Sequence, residues 1–243
     1  MYEQRARRVL ITGASRGIGR GIALELHRRG DCVICVARDR VALEHLKKQC
    51  EEVRCEILSL DLTQPQSHKA LNDYIIESGI DVVVHNVGGR VLSDVQPLGL
   101  EGLLESVAFN MGIAVSINEV LLPLFQKQGK GSICHISSMA ALTGNTAPGY
   151  AAAKAGLNAY IKSCARFFAK DNICIFGIMP GIIDTDVWLR KKRENEAHYK
   201  QIESMQPLGR FGKAEEVGAF VGSVLEGHNM LMSGAIFELS GAV

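Results

Sequence analysis

Tyr150 and Lys154 are separated by three alanines at the start of a helix-length stretch, a spacing that puts both side chains on one face of a helix. A free phenol, with a pKa of about 10, is a poor acid or base at neutral pH. An ammonium about 4 Å away, at an effective dielectric near 20, would favour the phenolate by about 4 kcal/mol. That is about three pKa units, before desolvation takes some of it back. The expectation is a phenol working near neutrality. The same spacing also occurs on ordinary surface helices, so the pair carries meaning only in combination. Ser137 and Ser138, shortly upstream, offer a hydroxyl donor for an oxygen that gains negative charge as hydride reduces a carbonyl.

A second cluster supplies a place for the hydride donor. The segment from Thr12 onward reads Thr-Gly-Ala-Ser-Arg-Gly-Ile-Gly, with a strand-like run before it and an amphipathic stretch after it. Gly13, Gly17 and Gly19 let backbone approach a pyrophosphate, and the helix that starts there offers free N–H groups and a positive dipole end. Ser15, Arg16 and Ile18 complete the turn. A glycine-rich turn alone is weak evidence; the flanking strand and helix make it a dinucleotide site. An acid at the end of the second strand would bind a ribose 2′-hydroxyl, whereas an arginine suits a 2′-phosphate. Arg38 stands there, and with Arg16 it favours NADPH over NADH; Asp39, the next residue, keeps NADH open.

These groups need a scaffold. Short runs rich in Val and Ile recur at 9–12, 32–37, 53–60, 81–85, 132–137, 173–178 and 235–239. Helix-length segments with apolar faces fall between them at 18–29, 41–50, 66–78, 100–125, 150–170 and 214–225. Strands that are apolar almost throughout must be covered on both faces, which predicts an α/β fold. The expectation is a single-domain, Rossmann-type, doubly wound parallel sheet of about seven strands over residues 1–243, with ligands at the carboxyl ends of the strands. Residues 184–209, with the charged run from Arg190 to Glu194, break the rhythm. They read either as a substrate lid or as a solvated connecting helix.

Composition narrows the partners. Hydrophobic residues make up 47 % and charged residues 22 %, enough for a substantial core. A net charge of +1 provides no field for a polyanion, so nucleic acid is not expected. No uninterrupted apolar run reaches the roughly 18 residues of a membrane span, and residues 1–8 are polar and basic rather than signal-like. A cytoplasmic protein with no membrane partner is expected. Of seven cysteines, Cys32 and Cys35 form a C-x-x-C pair, but on a strand they point to opposite faces; reduced, buried thiols are expected. The seven histidines show no metal-ligand spacing, and no metal is expected.

Together the motifs resemble the short-chain dehydrogenase/reductase family over nearly the whole chain. The pieces are the glycine turn, Asp61, His85-Asn86-Val87-Gly88, Asn110, Ile136-Ser137-Ser138, Tyr150 with Lys154, and Pro180-Gly181 followed by Thr185. The resemblance implies that Ser138 orients the carbonyl, Tyr150 donates the proton, Lys154 binds the nicotinamide ribose and lowers the tyrosine pKa, and Asn110 holds a relay water. It further implies that Asp61 and Leu62 contact adenine, that Asn86 and Gly88 line the cleft, and that Ile183 and Thr185 meet the carboxamide next to Pro180 and Gly181. His85 departs from the usual asparagine. The interval from Ser138 to Tyr150 is one residue short, which leaves Ser137 as the alternative.

The overall style is similar to 3-oxoacyl carrier-protein reductases, implying a β-ketoacyl thioester of fatty-acid or polyketide type, free or carrier-bound, reduced to the hydroxyacyl product. The run from Arg190 to Arg193 would then steer an acidic carrier, or is simply a solvated face. An oxidoreductase for a sugar or another small ketone is the alternative, and a catalytically silent nucleotide-binding scaffold a minor one. The family also implies a homotetramer or homodimer.

Overall fold

The computed structural model describes residues 5–50, 54–94 and 96–242. The reading of residues 1–4 and the predicted start of the third strand at Val53 lie outside the described residues. The chain alternates β1 (Arg8–Thr12), α1 (Gly17–Arg28), β2 (Cys32–Ala37), α2 (Arg40–Lys47), β3 (Cys55–Ser59), α3 (Pro65–Ser78) and β4 (Val82–His85). It continues through α4 (Leu100–Val107), α5 (Ile113–Gln128), β5 (Gly131–Ile136), α6 (Ala140–Thr143), α7 (Pro148–Phe168) and β6 (Ile173–Pro180). After it come β7 (Ile183–Asp184), α8 (Asp186–Glu194), α9 (Glu196–Ser204), β8 (Gly212–Lys213), α10 (Ala214–Leu225) and β9 (Ile236–Leu239).

Seven of these strands form one parallel sheet in the order β3-β2-β1-β4-β5-β6-β9, the doubly wound single-domain Rossmann arrangement that the apolar strands call for. Strand side chains alternate between two separate cores. Val9 and Ile11 of β1 join Ile22, Leu26, Val217 and Val221 from α1 and α10 on one face. Leu10 joins Ile75, Ile117, Phe125, Leu157 and Ile161 from α3, α5 and α7 on the other. Each face therefore buries a full helical layer. At about 25 cal/mol per Å2 of apolar surface, this burial is the main term opposing chain entropy.

The order reverses at β1, which pairs with β2 on one side (Leu10↔Ile34) and β4 on the other (Leu10↔Val83). Loops leaving β1 and β4 diverge there, opening a crevice above their carboxyl ends. The helical stretch predicted over 100–125 runs from Leu100 to Gln128 and contains a π turn, Ala108–Gly112. By length and composition it is, among the described residues, the one helix long and apolar enough to cross a membrane. Its Ile113, Ile117, Leu121 and Phe125 are buried against the sheet, and Glu101, Glu105, Asn118 and Glu119 interrupt the apolar run. Residues 184–209 form the α8–α9 hairpin, and the short parallel pair β7–β8 closes its base. Trp188 from α8, Tyr199 from α9 and Phe211 pack together, with ring centroids 4.8–6.4 Å apart.

All seven cysteines are free thiols; Cys35, Cys50, Cys55, Cys134 and Cys174 are buried, while Cys32 and Cys164 are partly so. Cys35 belongs to the core under α1, and burial raises the Cys174 thiol to about 11, so it stays protonated at neutral pH.

Candidate active site

A cleft of about 540 Å3 opens at the switch point. Its floor is the turn after β1. Gly13 and Gly17 sit at φ 66° and 54°, the left-handed region that side chains avoid. Gly19 is required for space instead: a Cβ there would lie 2.3 Å from the Gly13 carbonyl oxygen and 2.5 Å from the Asn86 amide nitrogen. Asn86, just after β4, ties the two strand ends together. Its Nδ2 donates to the carbonyl oxygens of Thr12 and Gly13, both at 3.1 Å, and its backbone N–H donates to Thr12 Oγ1 at 3.0 Å. The result is a rigid, glycine-surfaced ledge at the N-terminus of α1, suited to a pyrophosphate.

The adenosine end of the cleft is lined by Arg38, Asp39, Asp61 and Leu62, with Ser15, Arg16 and Ile18 at its edge. Arg16 and Arg38 are exposed. Asp39 caps α2, its Oδ1 accepting from the Ala42 N–H at 3.0 Å. Asp61 accepts from the N–H and hydroxyl of Thr63; these bonds, with a smaller contribution from Arg38, hold its carboxyl below the usual range. This end of the cleft thus carries two exposed cations, while the first acid after β2, Asp39, is engaged in capping α2.

At the other end, Gly88, Tyr150, Lys154 and Thr185 line the cleft together with Ser137. Gly88 has no room for a side chain: a Cβ would sit 2.8 Å from Asn110 Oδ1 and 3.1 Å from Lys154 Nζ. The π turn brings Asn110 inward, where it grips the loop after β4. Its Oδ1 accepts from the Gly89 N–H at 2.8 Å, and its Nδ2 donates to the oxygens of Gly89 (2.9 Å) and Ser106 (3.0 Å). Ser138 is the serine hydrogen-bonded to Tyr150, whereas the Ser137 hydroxyl is buried without a partner. Thr185 precedes α8 and packs its methyl against Gly17. Pro180 ends β6 and Gly181 follows it; Gly181 and Ile183 line a separate, smaller cavity of about 160 Å3 rather than the main cleft.

The expected acidification of Tyr150 by Lys154 is corrected by the structure. Burial raises the phenol pKa, the Ser138 hydrogen bond offsets this only in part, and the lysine makes no contribution. Lys154 Nζ donates to the Ile136 carbonyl oxygen at 2.8 Å and lies 5.8 Å from the centre of the tyrosine ring. Lys154 is only 3 % exposed, and burial lowers its own pKa to about 8. The spacing of four is right, but the ammonium points down to the sheet rather than across to the phenol.

A feature the sequence reading missed lies beneath this lysine. His85 and His135 occupy paired positions on β4 and β5, and their rings stack with centroids 4.7 Å apart. His85 Nε2 pairs with Asn118 Oδ1 at 2.8 Å, and Asn118 Nδ2 donates to the Tyr160 hydroxyl at 3.2 Å. Burial lowers His85 to about 4; burial, then the charges of His85 and Lys154, push His135 well below its ordinary range. The available signal was a polar residue at matching places in two otherwise apolar strands.

The family model for short chain dehydrogenases matches residues 7–196. The chain is 30 % identical over 239 residues to the 3-oxoacyl-(acyl-carrier-protein) reductase FabG of Pseudomonas aeruginosa, covering 96 % of each. Among solved structures, a 3-oxoacyl (acyl-carrier-protein) reductase from Agrobacterium tumefaciens C58 with NADP bound superposes with a TM-score of 0.91 at 25 % identity, covering all of both chains. L-sorbose reductase from Gluconobacter frateurii, complexed with NADPH and L-sorbose, gives 0.89 at 25 % identity, covering 98 % of this chain and 96 % of that one. With the glycine ledge, the cleft at the switch point and a match over most of its length, this chain belongs to the short-chain dehydrogenase/reductase family of oxidoreductases.

Proposed function

We propose that the protein reduces a ketone to a secondary alcohol with NADPH, and that the ketone is a β-ketoacyl thioester. The observation that carries the reading is the convergence of Tyr150, Lys154 and the glycine ledge on one cleft. A bound nicotinamide supplies the hydride. Ser138 donates to the carbonyl oxygen and holds it beside the phenol, and Tyr150 gives that oxygen its proton. A phenol whose pKa is raised by burial is in the protonated form that this direction needs. Lys154, which lines the cleft, holds the nicotinamide ribose, and Asn110 holds the loop against which a relay water for the tyrosine proton rests. Gly13, Ser15, Arg16, Gly17, Ile18 and Gly19 cradle the pyrophosphate. Asp61 and Leu62 meet adenine, Asn86 and Gly88 the middle of the cofactor, and Pro180, Gly181, Ile183 and Thr185 its carboxamide.

The preference for NADPH rests on Arg16 and Arg38 at the adenosine end, with Asp39 capping α2. The thioester is supported by the likeness to 3-oxoacyl-(acyl-carrier-protein) reductases and by the basic α8 next to the cleft, where a carrier's acidic surface or a pantetheine phosphate would dock. The α8–α9 hairpin acts as the lid. Initial rates with NADPH and NADH against β-ketoacyl thioesters and keto sugars test the proposal: it expects the fastest rate with a thioester and NADPH. A keto sugar winning the panel would favour the second reading, which the L-sorbose reductase likeness supports. No turnover of any ketone would leave a nucleotide-binding scaffold. The working form is a cytoplasmic homotetramer or homodimer, supported by the exposed Leu100, Leu104 and Phe167 on α4 and α7, apolar surface that a second copy would cover.

A further inference from the structure

Helix α7 carries Tyr150 in its first turn, and that turn lacks a local cap. Ala147 at the N-cap position offers no side-chain acceptor, and Pro148 has no N–H. The first free donors are the N–H groups of Gly149 and Tyr150 itself. Both are taken by one carboxylate from the loop after β4: Asp94 Oδ1 accepts from Gly149 at 2.9 Å and Asp94 Oδ2 from Tyr150 at 2.7 Å. Asp94 is only 1 % exposed, so its charge is held away from water by two charge-assisted hydrogen bonds and the positive end of a 21-residue helix.

The carboxylate is itself confined. A Cβ on Gly149 would lie 3.0 Å from Asp94 Cγ and Oδ1, so glycine is what lets the carboxylate approach. The neighbouring Ser93 bonds through its hydroxyl to Glu105 on α4, and a Cβ on Gly102 would lie 2.6 Å from the Ser93 carbonyl oxygen. Asn110 holds the other end of the same loop through Gly89. The loop is thus fastened at one end to the cofactor side of the cleft and at the other to the backbone of the residue that bears the phenol.

We propose that Asp94 is a positioning residue: it fixes the backbone of Tyr150, and through it the place of the phenol relative to Ser138 and Lys154. This rests on the carbonyl-reductase reading for its catalytic consequence, though not for the clamp. A misplacement of about 1 Å at a reacting group costs about a hundredfold in rate without disturbing remote binding contacts. Asp94→Asn keeps the shape but leaves only one acceptor oxygen for two donors, with its NH2 group facing an N–H. Gly149→Ala leaves the carboxylate intact and pushes it away.

The test combines steady-state kinetics with 13Cζ-tyrosine NMR of the intact protein, the Tyr150 resonance being assigned by its loss in Tyr150→Phe. Asp94→Asn should lower kcat at least tenfold while KM for NADPH and for the ketone stays within about twofold. The Tyr150 resonance should move or broaden while the other tyrosines stay put, and Gly149→Ala should reproduce both effects. An unchanged kcat, an unmoved Tyr150 resonance, or a parallel loss of kcat, both KM values and melting temperature would overturn the role. Failure of both variants to fold would overturn it too, by making Asp94 a purely structural residue. If the wild-type protein turns over no ketone, the proposed function fails, and the Tyr150 resonance in the two variants alone decides the clamp.

Discussion

Burying Lys154 in the cleft is costly. Its ammonium is buried and donates to the Ile136 carbonyl oxygen, and burial takes its pKa from 10.5 to about 8. The unfolded chain holds this proton more tightly than the folded one between about pH 8 and 10.5, so stability rises with pH through that window and the full penalty is present below 8. Lys154→Met, measured without NADPH, should therefore be inactive yet more stable than wild type by about 1–3 kcal/mol at pH 7, and should lose the rise above pH 8. Urea titrations of both proteins at pH 7 and 10 measure this; a destabilised variant would show that the Ile136 hydrogen bond outweighs desolvation. Gly19 gives the opposite kind of evidence, since Gly19→Ala places a Cβ 2.3 Å from the Gly13 carbonyl oxygen and 2.5 Å from the Asn86 amide nitrogen. It should cost about 1–3 kcal/mol of stability and at least tenfold in NADPH affinity by calorimetry, and unaltered binding would contradict the tight ledge. The identities of these residues and their shared cleft could be anticipated from spacing and flanking elements. Where the lysine proton points could not, because that depends on the Ile136 carbonyl, brought beneath the helix by tertiary packing.

At the level of elements, the stacked histidines couple β4 and β5 to pH. His85 falls from 6.5 to about 4 and His135 lies well below 6.5, so both stay neutral in the folded protein while the unfolded chain takes up protons below pH 6.5. Their contribution is complete above 6.5 and fades as pH falls toward 4, for His85 by about 2 kcal/mol between pH 6.5 and 5, with His135 acting in the same direction. Denaturant midpoints of wild type and the His85→Asn, His135→Asn double variant at pH 7 and 5 check this. The wild type should lose more stability across that interval, and equal losses would remove the histidines from the account. The strands themselves were legible: β2 spans the predicted 32–37, and β6 only runs two residues past the predicted end, because strands covered on both faces announce themselves as apolar runs. The α8–α9 hairpin was not legible as two helices. It is held by Trp188, Tyr199 and Phe211, three single aromatics 11 to 12 residues apart whose mutual contact no local period announces, and its exposed faces are charged.

For the molecule as a whole, the doubly wound sheet explains why so much of the site was readable: once β1 and β4 are placed, their loops must open the cleft that receives Tyr150 and Lys154. Substrate choice is not dictated by a fold that this chain shares with 3-oxoacyl-(acyl-carrier-protein) reductases and with L-sorbose reductase alike. The proposed mechanism has a single phenol, that of Tyr150, deliver the proton to the reduced oxygen. The most direct measurement is turnover of the best ketone by Tyr150→Phe, alongside NADPH affinity by fluorescence titration. The account predicts kcat lowered by about a hundredfold to ten-thousandfold with NADPH bound within about twofold of wild type; a variant that keeps most of its turnover would contradict it.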